Sequence, residues 1–198
     1  MEEHLLDDRT SIGFYYFYKG FYIPENVCDQ VIKFFNDHPE QKYPGQVGQN
    51  SKVKEEVKKG TEMFCPVPVI NFHIPSYLKY LHQCCNNYLE TFTDAKNVHP
   101  FNIEHNIKIQ HYQPGEGYYT WHWENTGHKE TIKRHLVFMT YLNNVKDGGT
   151  EFKYQNITTP AKKGLTLIWP GSWTHTHRGQ ISQTESKTII TGWFSYVV

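Results

Sequence analysis

The sequence predicts a mainly β domain with two supporting helices on its N-terminal side. Two amphipathic segments occupy the first hundred residues, and from Ile103 onward short β-type runs alternate with turn residues. At 198 residues, the chain is expected to form one domain, with helical support and a mobile loop in residues 1–100 and a β core in residues 101–198. Short, regularly punctuated strands predict a sandwich or barrel, of which the double-sheet jelly roll can hold a site inside.

The two helical segments each begin with a proline. Residues 23–40 (IPENVCDQVIKFFNDHPE) and 74–92 (IPSYLKYLHQCCNNYLETF) place that proline in the first turn and carry apolar residues at helical spacing. The stretch between them at residues 41–62 is polar and rich in lysine and glycine. We therefore predict a surface loop or mobile flap there.

The strand pattern predicts six segments: 106–112, 135–143, 149–154, 164–169, 173–177 and 187–198. Asp147-Gly148-Gly149 lies between two of these runs and predicts a hairpin. In the first run (NIKIQHY), Lys108, Gln110 and Tyr112 share one face. That face would point inward in a barrel with a polar pocket and outward in an exposed edge strand.

Composition and charge give no indication of a nucleic-acid or membrane partner. The formal net charge is +0, so neither a nucleic-acid footprint nor a membrane-surface patch is indicated. The acidic N-terminus has no apolar stretch, and no run reaches the ~18 apolar residues of a membrane span, so we expect a cytoplasmic location. The four cysteines lack CxxC spacing and are predicted to be free, mostly buried thiols.

Metal-binding residue types occur two apart in His122-Trp123-Glu124. In a strand, an imidazole and a carboxylate at this spacing point to the same face. A second imidazole, His177, would complete two histidines and one carboxylate. This is the ligand set of non-haem iron(II) oxygenases, which leaves coordination positions open.

Two histidines compete for the distal ligand position. His175 and His177 share a face, so strand parity does not choose between them. The following Arg178-Gly179 and the ten-residue interval to Lys187 favour His177. Lys187 is the cation that such a site needs if its cosubstrate is a dicarboxylate.

Four stretches carry a more specific resemblance: YQPGEGYYTWHWE, RHLVFMTYLNNVKDGGTEF, KKGLTLIWPGSWTHTHRG and SKTIITGWF. From residue 110 to the C-terminus, the chain resembles the prolyl 4-hydroxylase type of iron(II)- and 2-oxoglutarate-dependent dioxygenase. The resemblance implies a double-stranded β-helix, a jelly-roll, cupin-like core with the metal at one open end.

The resemblance also implies roles for individual residues. His122, Glu124 and His177 would be the catalytic iron ligands, Lys187 would bind the distal carboxylate of 2-oxoglutarate, and Tyr141 would hydrogen-bond that carboxylate. Tyr112 matches a tyrosine that lines the cosubstrate or substrate pocket. The implied cofactors are iron(II), 2-oxoglutarate and dioxygen, with ascorbate as a further candidate.

The substrate implied by the resemblance is a peptidyl proline in a protein or peptide. Two other hypotheses remain open: the same chemistry on a free amino acid, another side chain or a small molecule, and a jelly-roll binding module with a vestigial metal site. Glu124 departs from the family pattern, which usually has aspartate here. Its extra methylene moves the carboxylate about 1.5 Å further from the backbone.

Overall fold

The computed structural model of the protein describes residues 17–47 and 52–197. The helices are α1 (Glu25–Asp37), α2 (Val67–His73) and α3 (Pro75–Thr91), with 3-10 turns at Pro39–Gln41, Thr93–Lys96 and Trp173–His175. The first seven strands are β1 (Lys19–Tyr22), β2 (Tyr43–Pro44), β3 (Lys58–Lys59), β4 (Thr61–Pro66), β5 (Phe101–Ile103), β6 (Asn106–Tyr112) and β7 (Gly117–Tyr118). The rest are β8 (Arg134–Tyr141), β9 (Thr150–Phe152), β10 (Ile157–Thr158), β11 (Leu165–Pro170), β12 (His177–Gly179) and β13 (Lys187–Tyr196).

These strands form an antiparallel two-sheet core. Within the described ranges, the larger sheet has eight strands in the order β1-β11-β8-β13-β6-β4-β2, with β5 also paired to β13. A smaller sheet has the order β10-β9-β12, and β3 pairs with β7. The mainly β prediction, with a jelly-roll core and helices at the N-terminal side, is confirmed.

The larger sheet separates two apolar clusters. On one face, Phe138 and Ile190 belong to a cluster that includes the buried sides of α1 and α3. On the other face, Val137 and Ile189 pack in a second cluster with Trp169. Successive strand residues point to opposite faces, so β8 and β13 contribute to both clusters. The second face carries the site described below.

Two local predictions are wrong, and one helix was missed. Asp147-Gly148-Gly149 does not close a hairpin: β8 pairs with β11 and β13, whereas β9 pairs with β10 and β12. The turn instead carries the chain from one sheet to the other, with Asp147 at a φ of 53°. Residues 173–177 are not one strand, because a 3-10 turn precedes β12. The helix α2 was not predicted, since its apolar run reads equally well as the end of β4.

The predicted surface loop at residues 41–62 is also corrected in part. Residues 48–51 lie outside the described residues, but the remainder contributes β2, β3 and the start of β4, which pairs with β6. Lys58 and Glu62 are only 2% and 0% exposed. Their opposite charges form an ion pair, and composition alone cannot reveal that two charged residues are buried against each other.

The cysteine prediction is confirmed: Cys28, Cys65, Cys84 and Cys85 are free and buried. None of the helices in the described part of the chain has the length and apolar character to cross a bilayer.

Candidate metal centre and cosubstrate pocket

The backbone joins two of the predicted ligands directly. His122 and His177 form an isolated antiparallel bridge, with His122 N donating to His177 O over 3.0 Å and His177 N to His122 O over 2.9 Å. Glu124 lies in a bend, and its N–H donates to Gly171 O over 3.1 Å. The expected regular strand through His122 and Glu124 is therefore absent. The bridge and the bend bring the side chains together instead.

The three ligand-type side chains converge on one point. Glu124 Oε1 lies 3.5 Å from His122 Nε2 and 3.7 Å from His177 Nε2, and the potential ligand atoms all lie within 4.8 Å of one another. Metal–ligand bonds of about 2.0–2.2 Å can bridge such separations. This group does not include His175, whose Nδ1 lies 3.0 Å from Thr174 Oγ1.

Backbone carbonyls orient both imidazoles. His122 Nδ1 lies 3.1 Å from Thr120 O, and His177 Nδ1 lies 2.8 Å from His175 O. A carbonyl oxygen can only accept, so each Nδ1 carries the proton and donates. Each Nε2 then keeps its lone pair toward the cluster, as metal-binding histidines require.

The second oxygen of Glu124 is held away from the imidazoles. Trp193 Nε1 donates to Glu124 Oε2 over 2.9 Å, and Arg134 Nη1 donates to the same oxygen over 3.3 Å. The Arg134 guanidinium also lies 3.6 Å from the centre of the Trp193 ring. These contacts support the longer glutamate arm and leave Oε1 facing the histidines. The sequence analysis assigned neither Trp193 nor Arg134 a role beside Glu124.

Electrostatics favour the protonation states that a metal needs. Burial raises the pKa of Glu124, but hydrogen bonds and charge interactions with His122 and His177 outweigh it and hold that pKa well below its usual range. Burial and the nearby His177 lower the pKa of His122. A carboxylate and a neutral imidazole at neutral pH match the deprotonated ligands that divalent metals bind.

Lys187 is a buried cation without an anionic partner. It is 5% exposed, and its Nζ donates to Gly148 O and Gln180 O, both over 2.9 Å. No ion pair of the described residues includes it. Burial lowers the pKa of Lys187 to about 8. Because burying an unpaired charge is costly, the site suits a ligand that brings a carboxylate.

The two predicted tyrosines are buried and line the same cavity as this lysine. Tyr141 OH lies 2.7 Å from Thr150 Oγ1 and 3.1 Å from Thr159 Oγ1, and burial raises its pKa to about 12. Tyr112 OH donates to Gln110 Oε1 over 2.9 Å. Burial also raises the pKa of Tyr112, so both hydroxyls stay protonated near neutral pH.

One cavity of about 440 Å³ connects all six predicted site residues; its lining includes His122, Glu124, His177, Lys187, Tyr141 and Tyr112. Lys108 and Gln110 also line it, whereas Ile107 and Ile109 lie in the helix-side cluster. The inward alternative for the polar face of β6 is therefore the observed one.

A buried polar network that sequence reasoning missed lies behind one wall of the cavity and contributes Lys58, Gln110 and Tyr118 to its lining. Besides its ion pair with Lys58, Glu62 accepts from Gln110 Nε2 over 2.5 Å and from Gln46 N over 3.1 Å. Lys58 Nζ lies 5.6 Å from the centre of the Tyr118 ring. Tyr118 in turn stacks on His122 at 3.8 Å between ring centres. The network thus connects the polar segment before β4 to His122, one of the three ligand-type residues.

Comparisons with known proteins agree with this geometry. Residues 107–195 match the family model described as the 2OG-Fe(II) oxygenase superfamily. Comparison with curated proteins gives no match.

Three solved structures share the fold. The collagen prolyl hydroxylase of Paramecium Bursaria Chlorella virus-1, in a 2OG complex, is 16% identical, with a TM-score of 0.68 over 91% of this chain and 97% of that one. The Pseudomonas putida prolyl-4-hydroxylase is 14% identical, with a TM-score of 0.67 over 97% of both chains. A Trichoplax adhaerens prolyl hydroxylase in complex with a peptide fragment of the hypoxia inducible factor oxygen degradation domain is 12% identical, with a TM-score of 0.69 over 90% of this chain and 83% of that one.

At such low identity, the solved structures establish the fold alone, and the family model matches fewer than half of the 198 residues. The match covers β6 to β13, which carry the His-Glu-His cluster, Lys187 and both tyrosines. The β core at residues 107–195 is thus similar to the 2OG-Fe(II) oxygenase superfamily, and the chain shares its fold with prolyl hydroxylases.

Proposed function

We propose that this protein hydroxylates a prolyl residue of a peptide or protein. In this proposal His122, Glu124 and His177 hold iron(II). Lys187 and Tyr141 bind the distal carboxylate of 2-oxoglutarate, and Tyr112 lines the same pocket. When bound, iron(II), 2-oxoglutarate and dioxygen would supply oxidative decarboxylation of the cosubstrate to succinate and carbon dioxide, coupled to C–H hydroxylation.

The observation that carries the proposal is the unpaired ammonium of Lys187 in the same cavity as the three ligand-type residues. The far carboxylate of 2-oxoglutarate would neutralise that charge, which burial removes from most of its contact with water. Tyr141, kept protonated by burial, can donate to the same carboxylate. Together they would fix the cosubstrate in one orientation, with its keto-acid end toward the His-Glu-His cluster.

Two features support a peptidyl substrate. The cavity wall includes the exposed aromatic side chains Phe64 and Trp123, at 39% and 40% exposure. Aromatic faces on an open rim suit the ring of a proline. In addition, the Trichoplax protein of the same fold is described with a bound peptide.

The test is turnover of a proline-containing peptide library with iron(II), 2-oxoglutarate and ascorbate. We expect a gain of one oxygen on proline by mass spectrometry, with succinate formed in equal amount. Oxygen gain on a free amino acid alone would replace the peptidyl substrate. No turnover together with no iron binding would leave a binding module with a vestigial site.

The matched pair His177→Ala and His175→Ala tests the assigned ligand. We expect His177→Ala to abolish iron binding measured by calorimetry, because it removes the Nε2 that faces Glu124. His175→Ala should largely retain it, since His175 is not in the cluster. The reverse result would move the distal ligand to His175.

A further inference from the structure

The cavity wall carries a lysine, Lys108, that forms no close ion pair within the described residues, although its charge acts on Glu104 at longer range. Lys108 lies on the inward face of β6 and lines the cavity. Its Nζ lies 4.8 Å from the centre of the Phe64 ring and 5.4 Å from that of Trp193. Ring faces attract a cation but accept no strong hydrogen bond. The N–H groups of this ammonium are therefore still available to a ligand.

The other cations of the cavity already have assigned partners, including Arg178, whose Nε is 2.5 Å from Glu151 Oε2. Arg134 Nη1 is 3.3 Å from Glu124 Oε2, and Arg134 Nε is 3.7 Å from Glu104 Oε2. Lys58 is paired with Glu62. By contrast, no ion pair within the described ranges includes Lys108.

Cationic side chains outnumber acidic ones in the wall of the cavity. Five cationic residues line it: Lys58, Lys108, Arg134, Arg178 and Lys187. Two acidic residues do so, Glu124 and the solvent-exposed Glu130. In the proposed function, Glu124 is used by the metal and Lys187 by the cosubstrate, which leaves Lys108 as the cation available to the substrate.

We propose that Lys108 binds a carboxylate of the peptide substrate, so that the enzyme prefers a target proline with an aspartate or glutamate close to it in sequence. This inference rests on the proposed function and deepens it by naming the substrate class. Phe64 and Trp193 position the ammonium, and a charge-assisted hydrogen bond to the acidic side chain supplies the selectivity.

The experiment uses peptides with one central proline and with glutamate, glutamine or lysine placed in turn at each of the three positions on either side. Binding is measured by fluorescence anisotropy without iron or 2-oxoglutarate, and turnover by oxygen gain. We expect glutamate at one or more positions to improve Kd and KM about fivefold to tenfold over glutamine, with kcat little changed.

Variants assign the effect to one side chain. Lys108→Gln should remove the preference for glutamate, and Lys108→Glu should turn it into a preference for lysine at the same position. The KM for 2-oxoglutarate should be unchanged in Lys108→Gln. Lys153→Gln is the matched control, because Lys153 is also a lysine over an aromatic ring, 5.7 Å from the centre of Tyr154, but lies outside the cavity.

The outcomes separate this inference from the proposed function. Equal Kd and KM for glutamate and glutamine peptides, or a preference that survives Lys108→Gln, would overturn the inference alone. Acidic peptides that bind through Lys108 without gaining oxygen would overturn the proposed function and leave the carboxylate site. Absence of binding by every peptide would overturn the inference.

Discussion

Replacement of Lys187 by methionine should change how the stability of the metal-free protein depends on pH. Burial lowers the pKa of Lys187 from its ordinary 10.5 to about 8. At ~1.4 kcal/mol per pKa unit, this difference corresponds to roughly 3 kcal/mol. Because the folded pKa is the lower one, the unfolded chain binds more protons between pH 8 and 10.5. The stability contributed by this residue therefore rises with pH across that window.

In Lys187→Met this contribution is absent. The variant also leaves Gly148 O and Gln180 O without the lysine donor, at a cost that does not depend on pH. We therefore expect the difference in unfolding free energy, variant minus wild type, to fall by about 3 kcal/mol between pH 7.5 and pH 10.5.

Urea unfolding of both proteins at several pH values, without metal or cosubstrate, measures this difference. A difference that stays constant with pH would refute the description of Lys187 as a desolvated, unpaired cation. A second arm adds a metal and 2-oxoglutarate at pH 7.5. Wild type should gain stability from the cosubstrate by mass action, and the variant should gain far less.

Three further substitutions test the site and its wall. Glu124→Asp shortens the carboxylate by about 1.5 Å, so it cannot keep both the histidines and Trp193; metal affinity by calorimetry should fall at least tenfold, and an unchanged affinity would contradict the role of the longer arm. Trp193→Phe keeps a ring beneath Arg134 but removes the Nε1 donor, so metal affinity should fall about tenfold with little change in Tm; an unaffected affinity would show that Glu124 needs no such donor. Glu62→Gln leaves the buried Lys58 without its anion and should cost about 3–5 kcal/mol in urea unfolding, whereas the double variant Lys58→Met/Glu62→Leu should recover much of it.

Residue spacing predicted the parts of the site whose residues lie close together in sequence or at intervals typical of this kind of site. His122, Glu124, His177 and Lys187 could be selected because their chemical types are rare in combination. The helices α1 and α3 and the strand β6 followed from local periodicity.

The remaining features of the site and the fold depend on contacts between strands that are distant in sequence, which local sequence patterns do not specify. Trp193 meets Glu124 because β13 pairs with β8 in a register that sets Trp193 opposite Val137. The failed hairpin has the same origin, since Asp147-Gly148-Gly149 favours a sharp turn but does not specify which strands it connects. Lys58 and Glu62 appeared solvent-exposed by composition, because only the folded contact matches their charges.

The backbone bridge between His122 and His177 has a consequence for how metal binding relates to folding. Two peptide hydrogen bonds close the 55-residue interval between these histidines, and neither bond uses the imidazole nitrogens that would bind an ion. The loop-closure entropy is therefore lost when the chain folds, and this loss does not reduce the metal affinity of the folded protein. Chelators should strip the ion and leave a folded apoprotein that reloads rapidly, unlike small zinc domains that unfold when their metal is removed.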